Sequence, residues 1–305
     1  MTDNRIRISL SKFKPNIFNT INIIVMLIII FVTVYPFWNT IAVSFNNSQD
    51  TLRGGINFFP RQFSLYNYET VFKNDLLVIA TVNSVLRTLL STILGVFISA
   101  LIAFVLSRRE FLWRKFVTRY FVVTMYISAG LIPNYFLIKD LHLLNNFLVY
   151  IIPGLINVFN VIVIKTYMQS IPAEITEAAI IDGAGYFRCF IQIILPCCKP
   201  VLATVALWCA VGSWNSWFDT FIYCSSEESL TTLQYEMMKM ISASMNSGAY
   251  KSGADVYGSG VVIDSVTPVS IRAAVTVVAS VPILFVYPFL QKYFLQGITI
   301  GSVKG

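Results

Sequence analysis

The chain has 305 residues, of which 56% are hydrophobic and 12% charged, with a mean hydropathy of +0.70 and a net charge of +7. That charged fraction is about half of what a soluble domain carries, which excludes an ordinary soluble fold. Apolar runs recur that are long enough to cross ~30 Å of hydrocarbon as helices, and the ~10-residue alternating segments of a barrel are absent.

In chain order, residues 1–16 are polar and basic and precede an apolar run too long for a signal-peptide core, so a retained first span is expected. Hydropathy places spans at 17–43, 76–106, 116–137, 147–167, 201–223 and 273–293. Fourteen lysines and arginines fall on one side of this arrangement and seven on the other, with Arg87 inside a span. The positive-inside rule then makes both termini cytoplasmic. Anionic lipid accounts for the net positive charge, and no nucleic acid is needed to explain it.

Two polar stretches lie on the extracytoplasmic side, 44–75 and 224–271. The first half of the second reads as a helix and its Gly/Ser-rich second half as a loop. The five cysteines form no CxxC pair or framework spacing, so buried free thiols are expected. His142 sits in the outer turn KDLHLLNN, where a solvated side chain is the plain reading.

The chemistry of common enzymes is missing. No GxxxxGK[ST] phosphate loop, HExxH or GxSxG is present, so neither ATP hydrolysis by that device nor those hydrolytic sites are expected. Arg87, in NSVLRT, is the one clear mid-span charge, and it costs about 2.5–3.5 kcal/mol unless it faces the bundle interior or a wet cavity. Two readings stay open for it: a hydrogen bond to carbonyls or to Asn83-type neighbours, and a substrate contact. In span five, Trp214, Asn215 and Trp217 are candidates for a sugar contact, for packing and for an interfacial aromatic belt.

Residues 174–196, EITEAAIIDGAGYFRCFIQIILP, interrupt the apolar chain. Pro172 suits a helix start, and Glu174 and Glu177 suit the positive end of the dipole. Asp182-Gly183-Ala184-Gly185 supplies a turn, and Phe187, Phe190, Ile191 and Ile194 return at helical spacing. Ala178 and Ala179 carry no bulk, so another protein can approach the backbone closely while Glu177 meets a cation. A helix resting on lipid headgroups would instead show a basic polar face.

The spacing Glu177-Ala178-Ala179, three residues, Gly183, nine residues, Ile193, one residue, Leu195-Pro196 resembles the EAA loop of ABC importer permeases. NSVLRT, LIPNYFLIKDLHLLNN, WNSWFDTFIY and the ending YPFLQKYFLQGITIGSVKG are similar to the carbohydrate-uptake, maltose-type branch, and to its oligosaccharide members in particular. The resemblance implies an all-α polytopic fold of six transmembrane helices with a MetI-like permease core in spans two to six. It divides the chain into a cytoplasmic N-terminus (1–16), a first transmembrane helix (17–43) and an extracytoplasmic loop (44–75). A core (76–294) follows, holding a cytoplasmic EAA loop (168–197) and the loop 224–271, and then a cytoplasmic tail (295–305).

It further implies a non-enzymatic, ATP-driven subunit of the bacterial cytoplasmic (inner) membrane that carries no cofactor of its own. Two partner ATPase subunits would bind ATP and Mg, a second homologous permease would complete the pathway, and an extracytoplasmic solute-binding protein would deliver the sugar. Glu177, Ala178, Ala179, Asp182, Gly183 and Gly185 would form the ATPase-coupling segment, and Gly301, Lys304 and Gly305 would reach between the ATPases. The alternatives are an ABC importer of a non-sugar solute and, from a different class, a channel or secondary carrier without an ATPase partner.

Overall fold

The computed structural model describes residues 17–73, 75–248, 267, 269–282 and 284. They form helices α1 (Ile17–Ser44), α2 (Ser48–Thr51), α3 (Tyr66–Lys73), α4 (Asp75–Ser107), α5 (Arg114–Tyr126), α6 (Leu131–Asp140) and α7 (Val158–Gln169). There follow α8 (Ala173–Ile181), α9 (Tyr186–Cys189), α10 (Leu195–Cys197), α11 (Lys199–Asn215), α12 (Phe218–Tyr223), α13 (Leu233–Gly248) and α14 (Val269–Pro282). Among the described residues there is no strand, only one isolated bridge between Asn46 and Phe63.

α1 and α4, with 28 and 33 residues and a mean hydropathy of 2.6 each, are long and apolar enough to cross a membrane singly. Three more candidates are bent pairs. The run 116–137, expected as one span, is instead α5 and α6 meeting at 117°. The reason is Gly130, whose φ of 89° is open to glycine alone at low cost, with Pro133 in the first turn of α6.

The run 147–167 begins as two 3₁₀ turns (Phe147–Tyr150 and Ile152–Gly154) and bends 47° into α7, which Asn157 caps by accepting from the Asn160 N–H at 3.1 Å. Before α11 the chain turns by 83°, between Pro196 and Pro200, neither of which has an N–H to continue a helix. Near its other end the run 201–223 breaks at Ser216, which is extended. Of the sixth run, 273–293, only the part within α14 and residue 284 lies among the described residues.

α4 is the axis of the bundle. Its C-terminal half carries Ala100, Ala103 and Phe104 into a dry cluster with Val161, Ile164 and Met168 of α7 and with Cys189, Phe190, Ile194 and Cys198. Alanines on α4 allow the neighbouring helices α7 and α11 to come close, the usual device of helix pairs in lipid. Phe190, fully buried, fills the space with its ring 5.2 Å from that of Phe104.

The segment that precedes α4 is held differently. Asn46 Nδ2 donates to Asp50 Oδ2 and Thr51 Oγ1, both at 3.0 Å, and its Oδ1 accepts from the Gln62 N–H at 2.9 Å. Asn67 donates to the carbonyls of Ser44 and Asn46 and accepts from Ser48, whose hydroxyl also meets that of Ser270 on α14 at 2.8 Å. α13 realises the helix expected in the first half of 224–271, and the rest of that loop up to residue 266 lies outside the described residues.

All five cysteines are free, but they are not all buried. Cys189, Cys198 and Cys224 are; Cys209 is half-buried and Cys197 faces outward at the bend. His142 is exposed in its turn, with a left-handed φ of 56°.

Candidate functional site: the α8–α9 segment and the Arg87 network

Pro172 starts α8 with an extended ψ of 134° and Glu174 occupies its first turn. Its C-terminal end is a Schellman motif: the Ala184 N–H reaches the Ala179 carbonyl at 2.9 Å, and the Gly183 N–H the Ile180 carbonyl at 3.0 Å. Gly183 has a φ of 83°, and nothing lies within 4 Å of where a Cβ would sit. Its requirement for glycine is therefore backbone strain alone. Gly185 differs from the expectation that both glycines make the turn, because it is an ordinary extended residue at φ −66°.

The faces of α8 also separate the expected residues. Glu177 and Ala178 are exposed, whereas Ala179 is 7% exposed and belongs to the core cluster with Phe190. Ala179 thus lets α8 sit close to its own bundle, and the close approach from outside falls to Ala178. Asp182, as the C-cap, and Gly183 form the tip.

Sequence reasoning missed the apolar residues at that tip: Ile181 is 84% exposed and Phe187 66%, beside an exposed Tyr186. Helical spacing groups Phe187 with the buried Phe190 and Ile194, so its exposure is set by where the bundle ends and not by a signal in the sequence. Beyond α9, a π-helical turn (Phe190–Ile194) closes with the Leu195 N–H on the Phe190 carbonyl, just before Pro196. The chain widens there, where proline offers no donor.

The other candidates meet at the break between α11 and α12. Arg87 is 2% exposed on α4. Its guanidinium donates to the Ser216 carbonyl at 3.3 Å, forms an ion pair with Asp219 and lies 4.5 Å from the centre of the Tyr150 ring. Asp219 Oδ1 also accepts from Ser216 Oγ at 2.9 Å and from the Thr220 N–H at 3.0 Å. The charge is thus offset by a charge-assisted pair and a cation–π contact.

Asn83, considered above as a neighbour for Arg87, instead donates to the carbonyls of Ser229 and Thr231 at 2.8 and 2.9 Å. Trp214 is buried, and its indole N–H donates to the Ala279 carbonyl at 2.9 Å, a packing role that ties α11 to α14. Asn215 is exposed and bonds back to the Val211 carbonyl, while Trp217 is half-buried against Phe218 and Phe221. Gly301, Lys304 and Gly305 lie outside the described residues. Among the described residues no group of histidine, cysteine and acidic side chains has the proximity to hold a metal ion.

Residues 91–300 match the family described as binding-protein-dependent transport system inner membrane component. The chain belongs to that family. It is a permease, a transport component of the inner membrane. The permease is 34% identical to the polygalacturonan/rhamnogalacturonan transport system permease protein YtcP of Bacillus subtilis (strain 168), over 92% of this chain and 96% of that one. It is 35% identical to protein LplC of the same organism, over 90% of each chain. With an arabinooligosaccharides transport system permease protein, AraQ of Halalkalibacterium halodurans, it shares 27% identity over 91% of this chain and 93% of that one.

Among solved structures, it superposes with a TM-score of 0.80 and 26% identity on a chain of a bacterial ABC transporter involved in the import of the acidic polysaccharide alginate. That match covers 91% of this chain and 96% of the other. The permease fold inferred from the sequence is therefore present, all-helical among the described residues.

Proposed function

We propose that the permease carries oligosaccharides inward as one half of an ATP-driven pathway, with α8 as the element that couples it to a partner ATPase. The observation that carries this reading is the tip of α8 and α9. It presents Glu177, Ala178, Asp182, Ile181 and Phe187 outward, while Ala179, Phe190 and Ile194 anchor the same segment in the α4–α7 cluster. An exposed acid beside a bare alanine and an apolar knob suits docking into a cleft lined by a cation and apolar side chains. Because the anchor is packed rather than hinged, a push on the tip moves α9 and the bend at Pro196 with it.

In this reading six spans place both termini and α8 in the cytoplasm. A second homologous permease completes the pathway, two ATPase subunits bind ATP and Mg, and an extracytoplasmic binding protein delivers the solute. The C-terminal residues Gly301, Lys304 and Gly305 reach between the ATPases. The sugar assignment rests on the relatives, whose names specify polygalacturonan, rhamnogalacturonan and arabinooligosaccharides. Arg87 is a latch and not a sugar ligand, since Asp219 already neutralises it. The exposed Asn215 and half-buried Trp217 are the better candidates to touch the solute.

The test is to assemble the permease with its companion permease, ATPase and binding protein, and to screen oligosaccharides for stimulated ATP hydrolysis. Stimulation by oligosaccharides from acidic or arabinose-containing polysaccharides is expected. Stimulation only by a non-sugar solute contradicts the substrate, and transport without any ATPase contradicts the mechanism.

A further inference from the structure

One cationic cluster is used by neither the α8 tip nor the Arg87 network. Arg114, Lys115 and Arg119 of α5 and Lys165 of α7 line, with Leu106, Thr118 and Gln169, a cavity of about 340 Å³. Lys165 Nζ donates to Thr118 Oγ1 at 2.9 Å, which fixes its ammonium against α5. Among the described residues, no carboxylate forms an ion pair with any of these four cations. α5 also begins without a side-chain cap, so its first N–H groups add positive potential to the same place.

Four like charges around one cavity repel one another, and an oxyanion relieves this by accepting hydrogen bonds from guanidinium and ammonium groups together. Two sources of such an anion exist, a free phosphate and a lipid headgroup. The continuation of α5 decides between them. Phe116, Tyr120 and Val123, at i, i+4 and i+7, are 64%, 60% and 52% exposed and run away from the cations as an apolar stripe, with Trp113 exposed at its head. A free phosphate would use the cations alone, whereas an anionic phospholipid uses both, with its headgroup in the cavity and an acyl chain along the stripe.

We propose that this cavity binds the phosphodiester headgroup of an anionic phospholipid, with an acyl chain lying on Phe116, Tyr120 and Val123. The inference rests on the reading that this end of the bundle meets the cytoplasmic leaflet. It puts a lipid directly beside the α7–α8 connection.

The test uses the whole transporter complex in mild detergent, titrated with phosphatidylglycerol or phosphatidylcholine of identical chains and followed by native mass spectrometry. The complex is expected to retain phosphatidylglycerol in preference to phosphatidylcholine. In the double variant Lys115→Gln/Arg119→Gln, phosphatidylglycerol affinity should fall about tenfold, equivalent to about 1.4 kcal/mol. Arg119→Lys, which keeps the charge, should retain most of it and controls for folding. Equal retention by the double variant, or equal retention of the two lipids, overturns the proposal.

Displacement of phosphatidylglycerol by millimolar inorganic phosphate assigns the site to a free anion and also overturns it. So does a cross-link from position 119 to the companion permease that excludes lipid. Lipid retention is read without turnover, so its failure and a failure of the transport reading are separate results.

Discussion

The two ends of α4 are built on different principles. At its C-terminal end, α7 and the α8–α10 segment are held by shape: Ala100, Ala103, Val161, Ile164, Phe190 and Cys198 pack with little or no exposure. Toward its N-terminal end, Leu77 joins a smaller packed cluster with Val71, Trp214, Leu233, Ala274 and Val275, and segments far apart in sequence are held there in addition by directional polar bonds. Examples are Arg87 with Asp219, Asn83 with the carbonyls of Ser229 and Thr231, Ser84 with the Leu233 N–H at 2.9 Å, and Ser48 with Ser270. Packed contacts resist partial opening because separation forfeits them together, whereas hydrogen bonds exchange one at a time. The first kind suits a part that must move as a piece, and the second a part whose segments must part and rejoin.

Substitutions can break this contrast, and the largest effect is expected at the polar end. Asp219→Ala leaves Arg87 buried without its partner and should destabilise the permease by about 3–5 kcal/mol, read as loss of folded protein in detergent melting. The double variant Arg87→Met/Asp219→Ala should recover much of that loss. If it melts no better than Asp219→Ala, the pair is not what holds this end.

At the packed end, Ala179→Leu overfills the seat and should cost about 1–3 kcal/mol, whereas Ala178→Leu should leave the melting temperature unchanged and weaken ATPase docking. Equal behaviour of the two alanines would remove the distinction drawn between the faces of α8.

Smaller still is the effect of Gly183→Ala, which meets no side chain and pays only for its positive φ, about 1 kcal/mol. Gly185→Ala should change stability by less than about 0.5 kcal/mol, because its backbone is extended.

A pH dependence is expected at the polar end alone. The hydrogen bond from Asn46, and after it Arg61, holds the Asp50 carboxyl below the usual carboxylate range against the opposing push of burial. A lowered folded-state value means that its contribution is present near neutrality and is lost as the pH falls below about 4. Hydrogen exchange in 44–67 should quicken there while α9 is unaffected, and Asp50→Asn should abolish the change.

The same contrast governs how much could be read from the sequence. The α8–α9 segment is local, so the spacing from Glu177 to Pro196 and the place of Gly183 gave its helix, turn and second helix directly. Which alanine faces outward was not legible. Ala178 and Ala179 are adjacent, and only the tertiary seat against Phe190 decides between them.

The polar end is non-local. Asp219 lies 132 residues from Arg87 within the aromatic-rich run WNSWFDTFIY, so nothing near either residue announces the pair. Hydropathy likewise gave the apolar runs but not their bends. It counts the residues around Gly130 and Ser216 like any others, while the chain geometry there is set by a positive φ and an extended residue.

The central claim, that the exposed face of α8 docks an ATPase, is tested most directly by Glu177→Lys in the full complex. The measurement is co-purification of the ATPase subunit together with oligosaccharide uptake, at matched levels of membrane-inserted permease. The account predicts normal insertion and an unchanged melting temperature, with ATPase recovery and uptake reduced by about 100-fold, the upper range of a coupling free energy. Undiminished ATPase recovery and uptake in the Glu177→Lys permease would contradict it.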